Sequence, residues 1–133
     1  MLAAAAFLAL APAARAAGEW TMEKFSSDIE VQADGVLRVE ETIGADFLIP
    51  RHGIFRYVPY EATDTEGHRV DLSLDLRSVT MDGAGVQVSE STSQGNAVWK
   101  IGWPDRTFVG KHEYRLIYVV RGAIGRFKDH DEL

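Results

Sequence analysis

The chain predicts an all-β fold, an antiparallel β-sandwich of immunoglobulin-like kind with about seven strands. Three observations point to it. From Phe25 onward apolar residues recur with period two, the repeat of a half-buried strand. Asp-Gly and Gln-Gly turns separate the alternating runs. After Ala17 no window carries helical periodicity. An open barrel is the other architecture that the pattern allows.

The first run places Ile29, Val31 and Ala33 on one face and Asp28, Glu30 and Gln32 on the other. Asp34-Gly35 then turns the chain, because glycine supplies the positive φ that a two-residue turn requires. The return strand sets Leu37, Val39, Ile43, Ala45 and Phe47 on one face, opposite Arg38, Glu40, Thr42 and Asp46. Glu41 falls on the apolar face. A buried carboxylate needs a partner, so Glu41 is expected at a frayed or edge position. Residues 48–53 read as a connection, residues 54–60 as a third strand closed by Pro59, and residues 62–68 as a polar turn with Glu66-Gly67 at its tip.

Val70, Leu72, Leu74 and Leu76 alternate with Asp71, Ser73, Asp75 and Arg77, the cleanest strand in the chain. Val79 breaks the parity, which predicts a bulge or a strand end before Asp82-Gly83. Val86 and Val88 form a short strand, and residues 89–96 a polar loop around Gln94-Gly95. Ala97, Trp99, Ile101 and Trp103 face one way until Pro104 stops the strand, with the tryptophans as core or rim packing. After a loop at residues 105–111, Tyr114, Leu116, Tyr118 and Val120 alternate with residues that are themselves partly apolar. A strand with two apolar faces belongs in the middle of a sheet or under a loop.

The 133 residues suffice for one domain with a core, and 46% hydrophobic with 26% charged residues is a globular composition. A net charge of -6 disfavours nucleic acid, whose phosphates need a cationic surface. The absence of cysteine removes disulfides, thiolate zinc sites and cysteine nucleophiles, and leaves the redox compartment open. At the start, the apolar run ending at Ala11 is too short for a bilayer and suits a signal-peptide core. Pro12 ends it, and Ala14-Arg15-Ala16 has the small-x-small form of a cleavage site. Residues 1–16 are therefore expected to be a signal peptide and residues 17–133 an exported sandwich domain. The last residues, His130-Asp131-Glu132-Leu133, have the form of a signal for retention in the endoplasmic reticulum.

One stretch fits neither the strand nor the helix template: Pro50-Arg51-His52-Gly53-Ile54-Phe55-Arg56-Tyr57-Val58-Pro59. Cations and aromatics alternate through it on an otherwise acidic chain. Arg51, His52, Phe55, Arg56 and Tyr57 are the candidate binding residues, suited to an acidic partner, a glycan or lipid headgroups. Pro50, Gly53 and Pro59 are expected to set a corner between strands. The plainer alternative is that Ile54 or Phe55 packs inward and the arginines pair with local carboxylates.

No catalytic residue, metal ligand or cofactor is expected. No Gly-x-Ser-x-Gly elbow, phosphate loop or dinucleotide fingerprint occurs. Glu40 and Glu41, adjacent in a strand, point to opposite faces. His52, His68, His112 and His130 lie far apart, and Asp129-His130-Asp131-Glu132 reads as a solvated acidic run. Were the chain an enzyme, Glu41 and His52 would be the acid-base pair to test.

Ile29-Glu30-Val31, the run from Asp34 to Glu41, the run from Arg51 to Pro59, Lys100-Ile101-Gly102, Gly110-Lys111-His112-Glu113-Tyr114 and the closing Phe127-Lys128-Asp129-His130-Asp131-Glu132-Leu133 recur in a known order. Together they resemble the N-terminal region of the bacterial predicted membrane proteins called domain of unknown function 2207. The resemblance covers almost all of residues 17–133. It implies further exported sequence, then membrane-spanning segments and often a glycine-rich tail, so that Leu133 is a truncation point and the terminal tetrapeptide an accident. It implies an address but no reaction. The expected function is a non-catalytic extracytoplasmic interaction module, at the outer face of the cytoplasmic membrane in the periplasm or cell envelope. Its partner would be another envelope protein or other parts of the same full-length protein, with the membrane reached through segments absent from this chain. A purely structural spacer is the alternative, followed by an envelope enzyme and by a soluble protein retained in the endoplasmic reticulum.

Overall fold

A computed structural model describes residues 20–122, and these form antiparallel strands with no helix among them. In chain order they are β1 (Trp20–Val31), β2 (Leu37–Arg51), β3 (Gly53–Pro59), β4 (Glu61–Thr63), β5 (Arg69–Asp71), β6 (Ser73–Met81), β7 (Ala84–Gly85), β8 (Val88–Ser93), β9 (Asn96–Gly102) and β10 (Phe108–Arg121). Ten strands replace the expected seven, but β4, β5 and β7 are only two or three residues long. The seven longer strands build the sandwich. The larger sheet has the order β1-β2-β10-β6-β7 and the smaller β3-β9-β8, while β4 and β5 pair as a separate hairpin. This arrangement is compatible with an immunoglobulin-like sandwich. The expected signal peptide at 1–16 and the acidic run at 129–132 lie outside the described residues.

Alternation decides which side chains enter the core. Along β2, Leu37, Val39, Ile43, Ala45 and Phe47 are all buried, with half-buried residues between them. They meet Tyr114, Leu116, Tyr118 and Val120 of β10 and Ile54, Val58, Trp99 and Ile101 of the smaller sheet. Each fully buried aliphatic of this kind contributes on the order of 1.5–3 kcal/mol. The Trp99 and Tyr118 rings meet edge-on at 5.0 Å, a T-shaped contact that joins the two sheets. β10 is the middle strand of its sheet, as its two apolar faces predict, and Val119 on the outward face is also buried.

The departures have local causes. β1 begins at Trp20 rather than Phe25, because a register shift between Met22 and Lys24 flips the parity and hides the alternation. The expected connection at 48–53 is almost all strand: β2 runs to Arg51 and β3 starts at Gly53. The clean run from Val70 to Leu76 is divided at Leu72, whose N–H donates to Tyr60 O at 2.7 Å. Its first half pairs with β4 and its second with β10. The parity break at Val79 is a bulge: Ile117 faces Ser78 while Tyr118 faces Leu76, leaving Arg77 unopposed.

Two turns were legible in kind. Asp82 and Gly83 both have positive φ (53° and 85°) and join β6 to β7, and Gln94 and Gly95 (51° and 82°) join β8 to β9. Both are two-residue hairpin loops of the primed type. The expected polar loop at 89–96 is a correction, since residues up to Ser93 form β8, an edge strand of the smaller sheet. Its side chains are nearly all exposed, so it has no apolar face to announce it.

Candidate functional site

The stretch from Pro50 to Pro59 carries the chain from one sheet to the other, with His52 as the one residue between β2 and β3. Arg51 still pairs with Phe108 of β10 in the larger sheet, while Gly53 already pairs with Gly102 of β9 in the smaller. The predicted corner is therefore a crossover. Two facing glycines permit it. Gly53 and Gly102 have φ of 156° and 147°, and a Cβ on either would collide with backbone, at Ile101 O and His52 O respectively. His52 Nδ1 lies 2.7 Å from Arg106 O; the carbonyl only accepts, so the ring nitrogen donates.

Strand parity then sorts the candidate residues. On β3, Ile54, Arg56 and Val58 face inward and are buried, whereas Phe55 and Tyr57 face outward, 49% and 43% exposed. The two outward rings are neighbours, with centroids 6.4 Å apart. Lys100 on β9, directly opposite Phe55, places its ammonium 5.9 Å from that ring. Beyond the glycine pair the Arg106 guanidinium stacks 4.0 Å over Trp103. Between these features a pocket of about 500 Å³ is lined by residues 50–55 and 100–104. Arg51, His52 and Phe55 border it, and Tyr57 lies outside it. Arg56 leaves the contact surface altogether.

Arg56 is instead part of a closed polar cluster in the core. Its Nε and Nη2 donate to Glu41 Oε1 and Oε2 at 2.8 and 2.7 Å, a two-pronged pairing of guanidinium with carboxylate. Nη1 donates to Tyr57 O at 2.7 Å, and Tyr118 Oη donates to Glu41 Oε2 at 2.6 Å. The Phe25 ring covers the guanidinium at 5.6 Å. Glu41 has no exposed surface and sits mid-strand between β1 and β10, neither frayed nor at an edge. What the expectation lacked was its partner, which arrives from the other sheet.

The electrostatics keep this cluster as it is. Burial lowers the Arg56 pKa, but the hydrogen bonds and charge of Glu41 outweigh it, and the net direction is upward. Burial raises the Tyr118 pKa and the neighbouring carboxylate raises it further, so the phenol remains a donor. Nor do Glu41 and His52 form an acid-base pair. Ten residues along a strand separate Glu41 from the end of β2, about 30 Å. The hydrogen bonds of the two side chains lead to different partners.

A second polar cluster, unforeseen in the sequence, closes the start of β10. His112 Nδ1 lies 2.7 Å from Asp82 Oδ2 and Nε2 2.9 Å from Val109 O, while Asp82 Oδ1 accepts Glu113 N–H at 2.9 Å. The rings of Phe47 and Phe108 flank the imidazole at 6.0 and 5.5 Å. Burial lowers the His112 pKa, but the bond to Asp82 and the Val109 carbonyl carry it upward overall. Burial raises that of Asp82, and His112 and the Glu113 amide bring it down.

Among the described residues, no group of three or more histidines and carboxylates is placed to hold a metal ion, and no helix is long and apolar enough to cross a membrane. The signal for the core cluster was present in the sequence: Glu41 on one apolar face and Arg56 in step with Ile54 and Val58 on another. Nothing comparable announced Lys100 or Arg106, whose ring partners are set by sheet pairing and a loop.

A family described as "Predicted membrane protein (DUF2207) N-terminal domain" matches residues 21–133. No curated protein matches the chain. Two solved structures share its fold: native yeast LTA4 hydrolase, at TM-score 0.54, and native leukotriene A4 hydrolase from Saccharomyces cerevisiae, at 0.50. Each is 10% identical over 76% of this chain, and the chain spans only 14% and 15% of theirs. At that identity the likeness is one of fold.

Proposed function

Because the chain belongs to this family of predicted membrane proteins, as its N-terminal domain, we propose that it is a non-catalytic interaction module on the extracytoplasmic side of the membrane. The observation that carries the reading is the Phe55-Tyr57 pair. Two large rings stand exposed, side by side, on a strand at the edge of the smaller sheet. Aromatic side chains gain most from being covered by a partner, which is why they concentrate binding energy at interfaces. Arg51 and His52 border the same surface, and Arg56 supports it from behind through Tyr57 O. The acidic residue best placed for chemistry, Glu41, is enclosed and fully partnered, which speaks against catalysis. The partner in this reading is another envelope protein or another part of the same full-length protein.

The test is cross-linking and recovery from envelope extracts with the Phe55→Ala/Tyr57→Ala variant beside the unaltered chain. Loss of the recovered partner at an unchanged melting temperature is the expected result. Full recovery by the variant rejects the surface, and full recovery with a lowered melting temperature points to a structural spacer.

A further inference from the structure

The described part of this acidic chain neutralises its cations methodically. Eight lysines and arginines each lie within ion-pair distance of a carboxylate. Lys100 and Arg106 do not: among the described residues neither has an ion pair. Both are exposed, and both are held instead against aromatic rings, Phe55 and Trp103, at the borders of one pocket. A stacked guanidinium keeps its N–H edges directed outward, the geometry that grips a phosphate. Asp105, next in sequence to Arg106, forms no ion pair with either cation.

The same end of the sandwich exposes apolar surface. Leu48, Ile49 and Val109 are three of the six large apolar side chains exposed among the described residues, at 56%, 47% and 57%. All three fall in one irregular stretch of the β2–β10 ladder, between the Phe108–Arg51 and Gly110–Phe47 rungs, where Leu48, Ile49 and Pro50 of β2 stand opposite Val109 alone. The pocket begins one residue further on, at Pro50. Uncompensated cations, aliphatic side chains and a tryptophan are the elements of a surface that lies on a bilayer. The cations take lipid phosphates, the aliphatics enter the acyl boundary, and the indole sits at headgroup level.

We propose that this end of the domain docks on an anionic phospholipid surface, with Lys100 and Arg106 as the phosphate-binding residues. A family of predicted membrane proteins supplies such a surface. The proposal rests on the contact reading of the corner between β2 and β3, and adds a lipid to the partners it serves.

The experiment is flotation of the full chain with phosphatidylcholine vesicles, with and without phosphatidylglycerol. The Lys100→Ala/Arg106→Ala variant is compared with Arg38→Ala/Arg115→Ala, which removes the same charge from two paired sites. All share the apolar N-terminal segment, so its contribution cancels. Near the membrane each cation is worth roughly a fivefold change, so the first variant should lose at least about tenfold in partition to anionic vesicles. The second should not, and Lys100→Arg/Arg106→Lys should bind like the unaltered chain. The difference between the first variant and the unaltered chain should shrink with added salt and vanish on pure phosphatidylcholine. Equal partition of all variants overturns the proposal. So does binding of inorganic phosphate, followed by amide shifts at Lys100 and Arg106, without vesicle binding. Neither result touches the Phe55-Tyr57 surface, whose own variant separates the failure of the two readings.

Discussion

Arg56 on β3 spans the interior of the sandwich and holds both oxygens of Glu41 on β2, at 2.8 and 2.7 Å. This buried, two-pronged pair ties the sheets together, and its stability is conditional. Removing one member leaves the other charged and buried. Arg56→Ala or Glu41→Ala should each cost about 3–5 kcal/mol. Replacing the whole cluster, as Glu41→Leu/Arg56→Met/Tyr118→Phe, should recover most of that loss, because apolar groups of similar volume need no partner. Urea unfolding of the three proteins checks this. A triple variant no better than the singles would show that the cluster does more than satisfy itself.

Two core tyrosines should respond in opposite ways to the loss of one oxygen. Tyr118 donates to Glu41 at 2.6 Å, whereas Tyr114 Oη is buried with no hydrogen-bond partner among the described residues. Tyr118→Phe should therefore destabilise by about 1.5–3 kcal/mol, the range for a bond to a charged acceptor. Tyr114→Phe should be neutral or stabilising, since it removes an unsatisfied group. Equal losses on chemical denaturation would contradict the assignment.

The crossover at His52 depends on absent side chains. Gly102→Ala would drive a Cβ into the His52 carbonyl at a φ of 147°, and should cost about 2–4 kcal/mol. Gly85→Ala, where a Cβ meets nothing within 4 Å, should change stability by less than about 0.5 kcal/mol. Thermal melts of the two variants make the comparison.

The His112-Asp82 pair gives stability a pH window. Both atoms facing the imidazole nitrogens are acceptors, so the bonds as drawn need both ring protons. The His112 pKa is raised from 6.5, so its contribution is complete below that value and is lost as pH rises through the higher folded one. The Asp82 pKa is lowered from 3.8, so its contribution is complete above that value and is lost as pH falls through the lower folded one. Asp64, lowered chiefly by the His68 backbone N–H and then by that of Glu66, adds to the loss in acid. Melting temperature should hold level from about pH 4 to 6.5 and fall on either side. His112→Gln should flatten the alkaline limb. An alkaline limb that persists in the variant would place its origin elsewhere.

Much of this architecture was readable because it rests on alternation. The inward residues of β2, β9 and β10, the turns at Gly83 and Gly95 and the bulge near Val79 all follow from period-two burial or from glycine's conformational range. The turn at Gly35 was legible in place but not in length: the loop runs over residues 32–36, between the paired Val31 and Leu37, rather than over two residues. β8 was not, because an exposed edge strand has no apolar face. The division at Leu72 was not, because a change of partner leaves alternation intact. Of the candidate residues on β3, Phe55 and Tyr57 are exposed and Arg56 is buried. Its inward parity beside Ile54 and Val58 was visible, and the acidic chain with Glu41 on an apolar face offered its partner. Matching the two required knowing that β2 and β3 belong to different sheets, which only the crossover at His52 reveals.

The order of strands in the larger sheet also sets a timetable. β10, the last of the described strands, lies in the middle, between β2 and β6, and among the described residues it is the only link between them. As the chain is synthesised, β1 and β2 can pair early, but β6 has no neighbour from that hairpin until residues 108–121 emerge. The two halves of the sheet therefore close together and late. A chain cut before Phe108 lacks the strand that joins those halves, and should never acquire the sandwich.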